Sequence, residues 1–167
     1  VRAFVLYHQA VIEDLSGNAK GAMPHFEEAN RASSGQSLRI LQAYAVPLAR
    51  NGEMDKAKAV YGEFLKKAPS NPIIKRALAR LEAGQIPDRV IGGAKQGLSE
   101  TFYGIAASLS DERSIEIPIF YLQLALALEP NHDLSLSLLG DRLEAAERFA
   151  DANAVYARIQ PNSPLYI

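Results

Sequence analysis

The chain has 167 residues, of which 48% are hydrophobic and 22% charged, a composition typical of a folded domain and not of a disordered chain. Its formal net charge of −1 excludes a global field that would attract nucleic acid or an anionic membrane, so we expect neither as a partner. The absence of cysteine excludes disulfides, thiolate metal sites and cysteine nucleophiles. The longest apolar stretch, 117–128, is too short to insert across a bilayer.

Apolar residues recur every three or four positions, which predicts amphipathic helices joined by short turns and no sheet. In chain order, we expect helices at 2–15, 19–31, 37–50, 54–67, 72–83, 93–109, 116–128, 133–146 and 149–159. Pro24 and Pro118 fit these helices if each lies in a first turn, whereas Pro47 lies in a helix interior and predicts a kink. The chain starts at Val1 inside a helical pattern, so we expect it to be part of a longer protein.

The last part of the chain contains a repeat. Pro130 and Pro164 are 34 residues apart, and the segment between them predicts two amphipathic helices around a short turn. The landmarks of these two helices share one face each: Leu136, Leu139, Gly140 and Leu143, then Ala152, Tyr156 and Ile159. We expect Gly140, like Ala106 in the preceding pair, to be buried where two helix backbones approach closely.

With this period and these landmark residues, the chain resembles a tetratricopeptide repeat protein of a kind common in bacteria. The same register recurs in three earlier stretches, at Leu6, Ala10, Gly17, Ala22 and Phe26; at Leu41, Tyr44, Ala45, Leu48, Ala57 and Tyr61; and at Phe102, Ile105, Ala106, Leu109, Leu122 and Ala125. The resemblance implies an all-α, right-handed superhelical stack of helix pairs. We expect two repeats at 1–71, an added helix and elbow loop at 72–98, and two repeats at 99–167, in one continuous solenoid.

The added helix interrupts the repeat register after Pro69. Pro72 suits the first turn of a helix and Gly84 suits its end, and Gly92 and Gly93 loosen the entry to the next helix. A decayed repeat that has lost its second helix is the alternative interpretation of this segment.

The resemblance also implies a binding surface, because the first helices of such pairs line a concave groove. Carried over position by position, the groove residues are Arg39, Gln42, Val46 and Arg50 in the second pair, Glu100, Tyr103 and Ala107 in the third, and Ser137, Asp141 and Glu144 in the fourth. The alternative is that these positions are solvated helix faces with no ligand. Binding of chaperone carboxyl termini, known in one variant of the family, is disfavoured because Tyr7, Val11 and Ala43 stand where polar or basic groups would be needed.

The sequence predicts no enzyme, no cofactor and no metal site. His8, His25 and His132 lie in different pairs, and Gly92 and Gly93 lack the lysine and hydroxyl that follow in a phosphate-binding loop. We expect a scaffold that binds a protein or peptide segment in its groove. The alternatives are a structural self-association module and an accessory domain of a larger enzyme. The cytoplasm and the bacterial cell envelope or periplasm both stay open as locations.

Two further patterns concern association. Residues 1–98 contain 14 Lys and Arg and 9 Asp and Glu, a balance of +5, whereas residues 99–167 contain 4 and 10, a balance of −6. Either these charged residues lie on ordinary solvated faces, or the two oppositely charged ends attract one another and the chain forms a homo-oligomer.

The helix at 117–128 is apolar nearly all round, which predicts that the 72–83 helix or a partner chain covers it.

Overall fold

A computed structural model describes residues 1–109 and 115–166, and the regular secondary structure of these residues is entirely α-helical. The all-α prediction is therefore confirmed. The helices are α1 (Arg2–Leu15), α2 (Ala19–Ala32), α3 (Leu38–Arg50), α4 (Met54–Lys67), α5 (Pro72–Glu82), α6 (Ala94–Ser108), α7 (Glu116–Leu128), α8 (Asp133–Ala145) and α9 (Phe149–Tyr156). Their ends lie within three residues of the predicted ones.

The turn between α1 and α2 is short because a glycine ends the first helix and a polar side chain caps the next. Gly17 has a φ of +88°, and the amide of Asn18 donates to the carbonyl of Glu13, which satisfies an end carbonyl of α1. The side chain of Asn18 then accepts a hydrogen bond from the amide of Gly21 and caps α2. A three-residue connection of this kind places α1 and α2 side by side.

The three prolines behave differently from one another. Pro118 is the third residue of α7 and lies in its first turn, as predicted. The same prediction is wrong for Pro24, because α2 begins at Ala19 and Pro24 is its sixth residue. Pro24 is exposed, so water can satisfy the backbone carbonyl that its missing amide leaves unbonded. The helix α3 continues through Pro47 to Arg50.

The chain forms two compact units, Val1–Gly92 and Gly93–Ile167. In the first unit, α1 packs on α2, α2 on α3, α3 on α4 and α4 on α5. One apolar cluster joins α1, α2 and the start of α3, and it includes Ile91 from beyond α5. A second cluster joins α3, α4 and α5 and buries Ile74 and Leu81 of the added helix. The added helix therefore belongs to the core of this unit.

In the second unit, α6 packs on α7, α7 on α8 and α8 on α9. Ala106 has no exposed surface, and Gly140 is buried where a Cβ atom would overlap the ring of Tyr156, so both predicted close contacts are confirmed. Within this unit, α6 and α8 bury one side of α7, while Phe120 on its other side is 56% exposed.

Candidate binding groove

The first unit contains a groove whose walls come from α1 and α3, the first helices of its two pairs. Its α1 wall includes Val11 and Asp14, its α3 wall includes Ala43 and Val46, and Phe26 of α2 lines it from below. The cavity that remains open in the groove measures about 190 Å³. Pockets for small molecules usually measure about 300–1,000 Å³, so this cavity is too small for a typical cofactor.

A non-helical segment of the same chain lies in this groove. Residues 86–91, which we call the strap, follow α5 and have no regular secondary structure. The strap begins exposed, with Ile86 60% accessible, and ends buried, with Ile91 5% accessible. Ile91 joins the apolar cluster that contains Val11 and Ala43, and Val90 packs against that cluster as a half-buried neighbour. The end of the strap therefore fills part of the groove.

An ion pair fastens the middle of the strap to α1. The Arg89 Nε atom lies 3.0 Å from Oδ2 of Asp14, and the Arg89 Nη2 atom lies 3.3 Å from Oδ1. The Asp14 side chain is only 15% exposed, whereas that of Arg89 is 40% exposed. This two-point geometry matches the planar guanidinium fork to a carboxylate, so the pair both attracts and orients the strap.

The other side of the strap faces α3, α4 and α5. A second cavity, bordered by Pro87, Asp88 and Val90 of the strap, has Gln42 and Tyr61 in its wall. Burial raises the pKa of Tyr61 to about 12, which keeps its phenol neutral. Val90 borders both cavities, so the strap separates two open spaces. On the outer edge, Nη1 of Arg50 lies 3.5 Å from the Pro87 carbonyl oxygen.

Three of the four groove residues predicted on α3 border these cavities. Val46 lines both of them and is 5% exposed, so it belongs to the buried part of the wall and not to the exposed edge of the groove. Arg50 lines the first cavity and Gln42 lines the second. Arg39 is half-buried in the first turn of α3, outside the lining of either cavity.

Two of the three positions predicted on α6 in the second unit, Glu100 and Tyr103, contact a histidine. Glu100 is 2% exposed, and its Oε2 atom lies 3.4 Å from Nε2 of His132 at the start of α8. The ring of Tyr103 meets the same imidazole edge to face, with centroids 5.3 Å apart. Ala107 is exposed. The buried position of Glu100 removes its carboxylate from the exposed face of α6.

The positions predicted on α8 are more open. Ser137 is half-buried, and Asp141 and Glu144 are exposed. The Asp141 Oδ1 atom accepts a hydrogen bond of 2.7 Å from the Tyr156 hydroxyl. Burial raises the pKa of Tyr156 above its ordinary value, and the hydrogen bond to Asp141 acts in the same direction.

Sequence reasoning missed the strap and its contact with Asp14. One signal was present, because Val90 and Ile91 are adjacent β-branched apolar residues in a loop that contains Pro87 and ends at Gly92. Such a pair in a loop indicates burial, but its partner on α1 is far away in the sequence. In the sequence, nothing distinguishes Asp14 from the other acidic residues that lie on helices.

Within residues 1–109 and 115–166, no group of three or more potential metal-binding side chains converges. In the same part of the chain, no helix combines the length and apolar character needed to cross a bilayer.

These features define an all-α protein of consecutive packed helix pairs with a groove in its first unit. No family model and no curated protein matches the chain. Among solved structures, the chain is similar to MamA 41-end from Desulfovibrio magneticus RS-1, at 16% identity and a TM-score of 0.44, over 94% of this chain and 92% of that one. The MamA RS-1 ArsTM double mutant gives the same identity, TM-score and coverage.

Proposed function

We propose that the protein is a non-catalytic interaction module and that the groove of its first unit binds an extended segment of a partner protein. The observation that carries the proposal is that a non-helical segment of the chain already lies in the groove. The strap enters it with an aliphatic side chain in the core and a basic side chain on Asp14. A surface that holds one non-helical segment in this way offers contacts that a segment of a partner could use.

The chemistry of the groove supports binding over catalysis. The residues that line its cavity are Val11, Asp14, Ala19, Phe26, Ala43, Val46, Pro47, Arg50, Asn51, Arg89, Val90 and Ile91. This set contains no serine, cysteine, histidine or lysine that could act as a nucleophile or general base, and its one acid is paired with Arg89. Apolar walls with a few charged groups at the edge are typical of a peptide-binding surface.

A displayed library of random peptides tests this proposal with the whole 167-residue chain as the bait. We expect peptides to be enriched by the unaltered chain and to lose binding to an Arg50→Ala variant, which removes the side chain whose Nη1 atom approaches the main-chain carbonyl of Pro87 in the strap. Lys75→Ala is the matched control, because Lys75 is an exposed basic residue on α5 outside both cavities. Equal binding to both variants, or no enrichment at all, would contradict a groove site.

A further inference from the structure

We infer that the strap is an intramolecular ligand of the groove, and that the partner segment carries the same pattern, a basic residue followed two positions later by a β-branched aliphatic residue. This inference rests on the proposed function and specifies it. In the strap these two positions are Arg89, which pairs with Asp14, and Ile91, which is buried in the apolar cluster of α1, α2 and α3.

The preference for a basic residue follows from the position of Asp14. Asp14 lies in the last turn of α1, where the helix dipole disfavours a carboxylate. Its side chain is also 15% exposed, so most of it has been taken out of water. A carboxylate in this setting needs a cationic partner. Arg89 supplies that cation in the unbound chain, and a basic side chain of the partner supplies it when the strap leaves.

The preference for an aliphatic residue follows from the surroundings of Ile91. Tyr7, Val11, Phe26 and Ala43 belong to the cluster in which Ile91 is buried. The groove is therefore apolar two positions after the ion pair. A β-branched side chain is stiff and compact, so it fills this space at a small cost in conformational entropy.

The strap is held in a way that permits its release. Gly84 precedes it with a φ of +73°, and Gly92 and Gly93 follow it, so glycines flank both ends. Ile86 and Asp88 are exposed, and the Arg50 Nη1 atom approaches the half-buried Pro87 only to 3.5 Å from its carbonyl oxygen. Because the strap is tethered, it competes at a high effective concentration, of the order of millimolar for short flexible tethers. An external segment must overcome this competition.

Fluorescence anisotropy with a labelled synthetic peptide of residues 85–93, QIPDRVIGG, tests the competition. The receptor is the whole chain, either unaltered or with Arg89→Ala and Ile91→Ser in the strap. We expect the strap variant to bind the peptide at least about 10-fold more tightly, because an internal competitor has been weakened. A peptide carrying Arg89→Glu should bind the strap variant poorly, and adding Asp14→Ala to the receptor should remove that discrimination.

Ile91 is a core residue, so circular dichroism melting must accompany the binding measurement. A second receptor, in which residues 86–91 are replaced by glycine and serine at equal length, keeps the test decisive if Ile91→Ser unfolds the chain. Unchanged affinity in both receptors would overturn the intramolecular-ligand inference, and indifference to Arg89→Glu in the peptide would overturn the proposed pattern. If library peptides still bind in an Arg50-dependent way, either result leaves the proposed function intact. If library peptides do not bind in this way, the proposed function and the intramolecular-ligand inference are both contradicted.

Discussion

Arg89 and Asp14 lie 75 residues apart in the sequence, and their side chains meet with Nε 3.0 Å from Oδ2 and Nη2 3.3 Å from Oδ1. The contact joins the last turn of α1 to a loop that follows α5. The Arg89 guanidinium therefore lies at the C-terminal end of α1, where the helix dipole has its partial negative charge and where the Asp14 carboxylate adds a full one. The pair therefore relieves an unfavourable arrangement within α1 and holds the strap in the groove at the same time.

Replacing Asp14 by Asn tests the contribution of this pair to stability. Asn keeps the shape of the side chain but removes the charge that orients Arg89, so we expect the free energy of unfolding to fall by about 1 kcal/mol. Urea denaturation of the whole chain measures it. Glu63→Gln is the control, because Glu63 pairs with Lys66 on an exposed face of α4, and its removal should change stability by less than about 0.5 kcal/mol. Equal changes in unfolding free energy for the two variants would show that the Asp14–Arg89 pair contributes no more to stability than an exposed surface pair.

The close contact of α8 with α9 provides a second prediction. A Cβ atom on Gly140 would overlap the ring of Tyr156, whose hydroxyl is bound to Asp141. Gly140→Ala should therefore destabilise the chain by about 1–3 kcal/mol through overpacking, despite the better helix propensity of alanine. Gly62→Ala is the matched control, because Gly62 is also inside a helix but has open space where the Cβ would lie.

Gly62→Ala should stabilise the chain by about 0.5–1 kcal/mol, since only the propensity gain applies. Thermal and urea unfolding of both variants distinguish the two cases. A gain in stability at both positions would show that Tyr156 can move aside without cost.

The helices could be predicted from sequence because each depends on a local pattern that recurs every three or four residues. The position of Pro24 within α2 was predicted wrongly, because the rule that proline disfavours a helix interior takes no account of the exposure of Pro24 to water. Glu100 was assigned to the groove by its register alone, but His132 holds it in a buried position. The strap depends on a contact across 75 residues, and no local spacing pairs Arg89 with Asp14.

The contact between α1 and α2 provides a prediction about pH. The His25 Nδ1 atom donates to Oε2 of Glu13 at 2.7 Å, and this hydrogen bond lowers the pKa of Glu13 below its ordinary value of 4.5. Burial opposes the shift, and a hydrogen bond from Gln9 adds to it. His25→Ala should therefore raise the pKa of Glu13 toward 4.5 in a carbon-detected NMR titration of its side-chain carboxyl group.

A carboxyl group whose pKa is lowered in the folded state stabilises the protein above its unfolded pKa and loses that contribution as pH falls through the folded pKa. The part of stability that comes from the Glu13–His25 contact should thus be present at pH 6 and decline below about 4.5. The unfolding free energies of the unaltered chain and of His25→Ala should converge over that range. Curves that stay parallel down to acid pH would show that the contact is not linked to the titration of Glu13.

The last prediction concerns the opposite net charges of residues 1–98 and residues 99–167. Basic residues concentrate at the end of α4 and along α5, where Lys66, Lys67 and Lys75 are exposed. Acidic residues concentrate on α8 and α9, where Asp141 and Asp151 are exposed. We expect the basic surface of one copy to attract the acidic surface of another copy, because the two surfaces carry opposite charge. Salt should weaken the attraction, since the screening length falls from about 10 Å at 0.1 M to about 3 Å at 1 M.

Sedimentation velocity at 50 mM and 1 M salt measures this association, and the weight-average mass should be larger at low salt. Combined Lys66→Glu, Lys67→Glu and Lys75→Glu should abolish the difference, because the basic surface then repels the acidic one. Lys20→Glu is the control, since Lys20 is an exposed lysine on α2 away from this surface. A chain that remains monomeric at low salt and high concentration would rule out charge-driven self-association and leave the groove as the main candidate surface.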